Sequence, residues 1–253
     1  MIQRIKVLAG QYAAELIAIR RHLHTHPELS FQEYRTSEFI REKLSSWNIA
    51  FRAPVAGTGI VALIEGKHPD KKITAIRADM DALPITEINE VPYRSEQEGV
   101  MHACGHDVHT TCALGAARIL QELKDEWEGT VKIIFQPGEE KHPGGASLMI
   151  RDGALEDPRP SCIVGLHVQP TMEAGSLGFH AGQYMASADE IYITLSGKGG
   201  HAAAPHLTTD IILVASHLVV SLQQLISRNC NPLSPSVLSI CAFNGGYTTN
   251  VIP

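Results

Sequence analysis

The sequence contains no dense run of lysine and arginine. Its 21 basic and 27 acidic residues give a formal net charge of −6, so binding to nucleic acid or to an anionic membrane has no electrostatic support. An uninterrupted run of about eighteen apolar residues, the length typical of a membrane-spanning helix, is also absent. We therefore expect neither a nucleic-acid partner nor a membrane partner.

Cysteines are few, and their spacing is not that of a disulfide-bonded framework. The five cysteines are odd in number and scattered along the chain, at Cys104, Cys112, Cys162, Cys230 and Cys241. This distribution argues against a disulfide scaffold and for a reducing compartment. The N-terminus lacks the apolar segment and small-residue cleavage site of a secretory signal. We therefore expect a cytoplasmic protein.

Internal repeats and low-complexity segments are absent as well, and 253 residues suffice for one large domain or two smaller ones. Short, mostly apolar, β-branched segments predict strands at 59–65, 72–78, 131–135 and 162–168. Helical spacing of apolar residues predicts helices at 2–24, 33–47, 107–124 and 144–152. Strands alternating with helices indicate an α/β domain over residues 1–185, with a mostly parallel sheet flanked by helices.

The pattern changes after residue 185. Residues 189–195 alternate between polar and apolar as a half-exposed strand does, and residues 197–205 form a glycine-rich turn. A long apolar helix at 208–228 and a strand at 237–243 follow. The sequence therefore predicts a smaller α+β domain over residues 186–253.

The segment MHACGHDVH, residues 101–109, holds three histidines and one cysteine. Only a glycine separates Cys104 from His106, and glycine allows the tight backbone that would let both side chains converge. Thiolate and imidazole together suit zinc or another transition metal. The alternative is a buried cysteine beside surface histidines.

Other polar side chains follow the predicted strands, where ligand groups gather in α/β sheets. In the Pro-Gly turn that carries Glu139 and Glu140, one carboxylate can bind a metal while the other takes a proton from water. The alternative is a solvated acidic turn. His167 ends another strand, and Asp79 and Asp81 follow a third, where they either support a ligating histidine or cap a turn. Convergence of these groups on one metal site explains them better than chance.

Seven motifs occur in an order that is familiar from one family: RADMDALP (77–84), YRS (93–95), GVMHACGHDVH (99–109), FQPGEE (135–140), GLHV (165–168), SGKGGHAAAP (196–205) and NVIP (250–253). The chain resembles the aminoacylase and carboxypeptidase family of two-metal hydrolases. The likeness is greatest to the branch that contains hippurate hydrolase and the indole-acetyl-amino-acid hydrolases. A cysteine in HACGHD is specific to that branch.

The resemblance implies a role for each matching residue in the first domain. The implied metal ligands are Cys104, His106, Glu140 and His167. Glu139 would be the general base and acid, and Asp81 would support the metal site. The family binds two divalent ions per subunit, which are zinc, manganese, nickel or cobalt. His102 and His109 match no ligand position, and a structural role is predicted for both.

The resemblance also implies roles in the second domain, which serves as a lid and for dimerisation. His201 would stabilise the oxyanion and contact the substrate, reaching the active site of a partner subunit in a homodimer. Asn250 would contact the substrate. Family members continue beyond the NVIP match, with an arginine that holds the substrate carboxylate and one more histidine ligand. The resemblance therefore predicts a C-terminally incomplete chain with its lid domain cut short, which is either a truncated version of a longer enzyme or a naturally short relative.

The expected function is that of a metal-dependent amidohydrolase, which cleaves the amide bond of small N-acyl amino acids. The same residues would also serve a metallo-carboxypeptidase or dipeptidase acting on peptides, or an N-acetyl-diaminopimelate-type deacetylase. A non-enzymatic alternative is an inactive fragment with a partial metal site.

Overall fold

The computed structural model describes all 253 residues, which form two compact units, Met1–Ser176 and Leu177–Pro253. The boundary expected after residue 185 thus lies inside the second of these units. The helices of the first unit are α1 (Ile2–Thr25), α2 (Tyr34–Ser46), α3 (His106–Glu122) and α4 (Gly145–Arg151). Its strands are β1 (Ala50–Val55), β2 (Gly59–Glu65), β3 (Ile73–Asp79), β4 (Thr130–Gln136) and β5 (Cys162–Gly165).

The five strands form one sheet in the order β1-β2-β4-β3-β5. Strand β3 runs parallel to β4 and β5, whereas β2 runs antiparallel to β1 and β4. The α/β fold class is confirmed, and the sheet is mixed because β1 and β2 add two antiparallel pairings. Strand β1 was not predicted because it contains Arg52 and Pro54 and is largely exposed.

Successive residues of the central strands point to opposite faces of the sheet, and both faces are covered. On one face, Ile133 and Phe135 of β4 pack in a cluster with apolar residues of α1, α2 and α3, among them Leu114. On the other face, Ile134 packs in a second cluster with Met149 of α4. Burial on both faces explains why the inner strands have nearly continuous apolar sequences.

The parallel register brings three loops to one edge of the sheet. Asp79, the last residue of β3, pairs with Gln136, the last residue of β4, and Gly165 at the end of β5 pairs with Arg77. The loops that follow these strands therefore leave from neighbouring positions. His167 lies in the loop beyond β5, not at the end of a strand as expected, because the pairing with β3 stops at Gly165.

The second unit contains a helix and one small ribbon. Helix α5 spans Ile211–Gln224 and continues as a π-helical segment, Leu225–Asn229. Strands β6 (Gly200–His201) and β7 (Val251–Ile252) pair antiparallel. The strands predicted at 189–195 and 237–243 are wrong. Neither segment has a neighbouring strand to pair with, and a strand without a ladder leaves its backbone hydrogen bonds unmade.

Helix α5 was expected to turn one apolar side inward, but none of its residues is buried in the structure. The helical segment Ile211–Asn229 has 19 residues and a mean hydropathy of 1.4 in its most apolar window. By length and composition alone it could cross a membrane. This is weak support for a membrane span, since core helices of soluble proteins meet the same criterion.

Candidate metal centre

Ligand-type side chains from the three loops and from the start of α3 meet at this edge of the sheet. The Sγ atom of Cys104 lies 3.3 Å from Nε2 of His167. Nε2 of His106 lies 3.7 Å from Oε1 of Glu140 and 4.0 Å from Oε2 of Glu139. Three groups share His106, namely Cys104–His106–His167, His106–Glu139–Glu140 and Asp79–His106–His109, and within each group the ligand atoms lie within 4.8 Å of one another. The structure thus brings together the four ligands that the resemblance implies.

The start of α3 explains how Cys104 and His106 converge. Gly105, the residue before the helix, has φ of +83°, a conformation that residues with a side chain rarely adopt. The backbone therefore bends sharply between the thiol and the imidazole. His106, the first residue of the helix, is buried with its ring aimed at the carboxylates.

Three buried polar atoms of the cluster have no hydrogen-bond partner in the protein, namely Nε2 of His106, Oε1 of Glu140 and Oδ1 of Asp81. An unpaired buried polar atom costs about 1–3 kcal/mol, more if the group is charged. The other ring nitrogen of His106, Nδ1, lies 2.8 Å from the main-chain oxygen of Asp81 and so serves as a donor to it. Nε2 therefore remains as the ligand atom. The thiol, imidazole and carboxylate donors fit a divalent transition-metal ion.

Asp81 links the loop after β3 to the other parts of the cluster. Its Oδ2 accepts hydrogen bonds from the hydroxyl of Ser30 at 2.6 Å and from the backbone N–H of Glu140 at 3.0 Å. Burial alone would raise the pKa of Asp81, but the His106 ring 3.3 Å from its Oδ1, the Ser30 hydroxyl and the backbone N–H groups of the Glu139–Glu140 turn lower it to about 2. Asp81 is therefore ionised and holds both His106 and the Glu140 turn.

The electrostatics of the cluster favour a bound cation. Burial and the neighbouring carboxylates of Glu140, Glu139 and Asp79 raise the pKa of the Cys104 thiol to about 12. Without a cation the thiol is protonated at neutral pH, and a metal ion would displace that proton. Burial and the nearby Glu140 also raise the pKa of Glu139, whose side chain is 40% exposed. Glu139 is thus suited to accept and release a proton.

His109 has a structural role, as its sequence position predicts. Its Nδ1 lies 2.7 Å from Oδ1 of Asp79, and its Nε2 accepts a hydrogen bond from the backbone N–H of Val168 at 2.9 Å. Asp79 is held in turn by Arg77. Because both ring nitrogens are engaged, His109 is not free to bind a metal. It fixes the loop residue next to His167.

A second polar network, which the sequence did not indicate, ties α1 to the start of α3. Nδ1 of His24 lies 2.7 Å from Asp107, its Nε2 lies 3.2 Å from Glu87, and Arg20 pairs with Asp107 at 2.9 Å. The hydrogen bond with Asp107 is the main cause of a raised pKa at His24. Nearby, burial lowers the pKa of His102 to about 4, so its ring is neutral.

The remaining predicted residues, His201 and Asn250, belong to the second unit. His201 pairs with Val251 between β6 and β7, and the backbone N–H of Ala202 donates to the oxygen of Asn250 at 3.0 Å. The structure thus brings these two residues close to each other. Nδ1 of His201 accepts from the N–H of Ala203 at 3.1 Å, so a neutral ring carries its proton on Nε2.

Candidate metal-ligating side chains beyond the carboxyl ends of parallel strands, with a carboxylate of raised pKa beside them, are the arrangement expected of a metal-dependent hydrolase. The particular family follows from comparison with known proteins. The model of peptidase family M20/M25/M40 matches residues 75–245. The chain therefore belongs to this family, and the resemblance seen in its motifs is confirmed.

Two curated relatives show how far the likeness extends. The N-acyl-L-amino acid amidohydrolase of Geobacillus stearothermophilus is 42% identical over 251 residues, which cover 99% of this chain and 67% of that protein. The N-acetyl-L-cysteine deacetylase of Bacillus subtilis is 45% identical over 239 residues, which cover 94% and 56%. The chain thus spans between 56% and 67% of the length of these relatives.

Two solved structures agree with this assignment. A crystal structure of a protein from methicillin-resistant Staphylococcus aureus has a TM-score of 0.79 and 39% identity to this chain, and the match covers 100% of this chain and 66% of that one. The YxeP protein of Bacillus subtilis, described as a dinuclear metal-binding peptidase of the M20 family, has a TM-score of 0.62 and 43% identity. The match covers 66% of this chain and 46% of the YxeP chain.

Proposed function

We propose that the protein is an amidohydrolase that releases the acyl group from small N-acyl amino acids. One observation carries the proposal: ligand-type side chains with unpaired buried atoms lie beside Glu139, a half-exposed carboxylate of raised pKa. The names of two relatives, an N-acyl-L-amino acid amidohydrolase and an N-acetyl-L-cysteine deacetylase, support the substrate class.

The proposed metal ligands are Cys104, His106, Glu140 and His167. Two ions per subunit are proposed, of zinc, manganese, nickel or cobalt, and the dinuclear description of YxeP supports this number. When bound, a divalent ion supplies Lewis-acid polarisation of the amide carbonyl and acidifies water.

The remaining chemistry belongs to side chains. Glu139 takes the proton of the water that attacks the amide carbon, and then gives that proton to the departing amine nitrogen as the C–N bond breaks. Asp81 keeps the ring of His106 oriented through its main-chain oxygen. The exposure of Glu139 on the solvent side of the cluster supports its role as the group that meets water and substrate.

His201 and Asn250 are proposed to contact the substrate. The tautomer of His201 supports this role, because a proton on Nε2 makes that atom a donor to the oxygen on which negative charge develops. A donor of this kind contributes about 3–4 kcal/mol of barrier lowering in comparable oxyanion sites.

A homodimer formed through the second unit is also proposed. The exposed apolar side chains of α5, including Leu213 and Val220 at 56% and 67% exposure, support such an interface. Sedimentation equilibrium is expected to give the mass of two chains, and Val220→Glu is expected to lower it to one. A mass of one chain for the unsubstituted protein would rule out this dimer.

The substrate class is tested with a panel of N-acetyl amino acids, N-benzoyl amino acids and unblocked dipeptides. Release of the free amino acid from the first two groups is expected, and 1,10-phenanthroline is expected to abolish it because the ligand set is that of a transition metal. Hydrolysis confined to dipeptides would favour a peptidase. Release that survives removal of every bound metal ion would overturn the proposal.

A further inference from the structure

The turn between α1 and α2, residues 28–33, contacts both loops that carry the candidate centre. The main-chain oxygen of Glu28 accepts a hydrogen bond from the N–H of Ala82 at 2.8 Å, and the Ser30 hydroxyl donates to Asp81 at 2.6 Å. These contacts hold the loop after β3. The other end of the turn, at Glu33, holds the loop after β4.

Glu33 is fully buried, at 0% exposure. Its Oε1 accepts hydrogen bonds from the backbone N–H groups of Gly138 at 2.8 Å and of Phe31 at 2.9 Å. Its Oε2 accepts one from the Thr58 hydroxyl at 2.7 Å. All three donors are neutral, so the carboxylate is buried without a counter-charge, and burial raises the pKa of Glu33. Burying a carboxylate without a counter-charge costs free energy of folding, so a gain in stability does not explain why Glu33 occupies this position.

The hydrogen bond from Gly138 to Glu33 holds a residue whose backbone lies in the left-handed region. Gly138 has φ of +53°, and a Cβ atom at this position would collide with the ring of Phe31. Phe31 itself has φ of +65°, a conformation that costs a bulky residue about 1–3 kcal/mol. The carbonyl of Gly138 accepts from the N–H of Gly145 at 2.8 Å. Both polar groups of Gly138, the residue before Glu139, are therefore fixed.

We propose that Glu33 is a positioning residue, which fixes the direction of the Glu139 side chain by holding the N–H of Gly138. The proposal rests on the proposed function to the extent that Glu139 is the general base. Glu33 does not touch the cluster itself. It acts through the backbone of Gly138, which is covalently linked to Glu139. The ring of Phe31 packs against Gly138 and also restricts its backbone.

Glu28 offers a matched control within the same turn. Its carboxylate accepts hydrogen bonds from the N–H and hydroxyl of Thr36 at 2.8 and 2.9 Å, and from the backbone N–H and the guanidinium Nε of Arg35, both at 3.2 Å. These bonds cap the start of α2 and do not reach Gly138. Removing the Glu28 carboxylate should therefore affect stability alone.

The test compares Glu33→Ala, Glu33→Gln, Glu28→Ala and Thr58→Val by steady-state kinetics on an N-acetyl amino acid. Glu33→Ala is expected to lower kcat about 10²-fold with KM little changed, because a misplaced base slows the chemical step. Glu33→Gln keeps an acceptor for Gly138 and should recover most of the loss. Glu28→Ala should leave kcat unchanged, and Thr58→Val, which frees only Oε2, should lower it a few-fold.

Hydrogen exchange of residues 136–141 gives a readout that does not need activity. In Glu33→Ala this segment should exchange faster, whereas Glu33→Gln and Glu28→Ala should match the unsubstituted protein. If the unsubstituted protein hydrolyses none of the substrates, the proposed function fails while exchange still tests the positioning role. If Glu33→Ala does not fold, the kcat values of Thr58→Val and Glu33→Gln test the positioning role. An unchanged kcat in Thr58→Val, or equal losses of kcat in Glu28→Ala and Glu33→Ala, would overturn the proposal.

Discussion

Replacing Glu139 with glutamine is expected to lower kcat about 10³-fold while leaving the bound metal in place. The amide keeps the shape of the side chain but cannot accept the proton of the attacking water, and proton transfer by a positioned side chain contributes about 10²–10⁴-fold. Glu139 is the more exposed of the two adjacent carboxylates, at 40% against 22% for Glu140, and it is the one assigned to substrate and water. Steady-state kinetics and metal analysis of the same sample measure the two effects.

Glu140→Gln provides the contrast, because the unpaired buried Oε1 of Glu140 is assigned to the metal. This variant should lose both activity and bound metal. If Glu139→Gln lost the metal and Glu140→Gln kept it, the two roles would have to be exchanged. If Glu139→Gln retained kcat, this carboxylate would not be the base.

Replacing Cys104 with alanine is expected to weaken metal binding by more than about 10²-fold, since loss of even a supporting side chain around a metal costs about 10–100-fold. The thiol lies 3.3 Å from Nε2 of His167 and belongs to the same ligand group as His106. Titration with zinc against a competing chelator measures the affinity. The same variant should release fewer protons on zinc binding, because the Cys104 thiol is protonated before the metal binds.

Cys112→Ala is the control for this experiment. Cys112 lies on α3 outside every ligand group and is likewise a free cysteine. Its replacement should change neither the zinc affinity nor the number of protons released. An unchanged affinity in Cys104→Ala would remove the thiol from the ligand set and leave His106, His167 and Glu140 as the proposed ligands.

The parts of the fold that sequence reasoning predicted are those whose signal is local. Strands β2, β3 and β4 have nearly continuous apolar sequences because both faces of the sheet are covered, and α1 and α3 have helical spacing over many residues. The candidate ligands were found because Cys104 and His106 stand next to a glycine, and Glu139 and Glu140 follow a strand directly.

The parts that were missed depend on distant partners. The bond between Glu33 and Gly138 joins residues 105 positions apart, and no local pattern in the segment ELSFQE indicates it. Glu33 also lies outside the range 75–245 that the family model matches. The false strands at 189–195 and 237–243 have the same cause, since pairing requires a neighbour that a local pattern cannot supply.

The shared edge at which β3, β4 and β5 end has a consequence for the order of events during folding. The ligand groups come from separate loops, and they meet only once Asp79 stands opposite Gln136 and Arg77 opposite Gly165. Before the sheet has formed, the ligands are not close enough to bind an ion together. Metal binding therefore cannot nucleate folding. Binding to the native state alone stabilises the finished sheet by mass action, so we expect the ion to slow unfolding and to leave the rate of folding nearly unchanged.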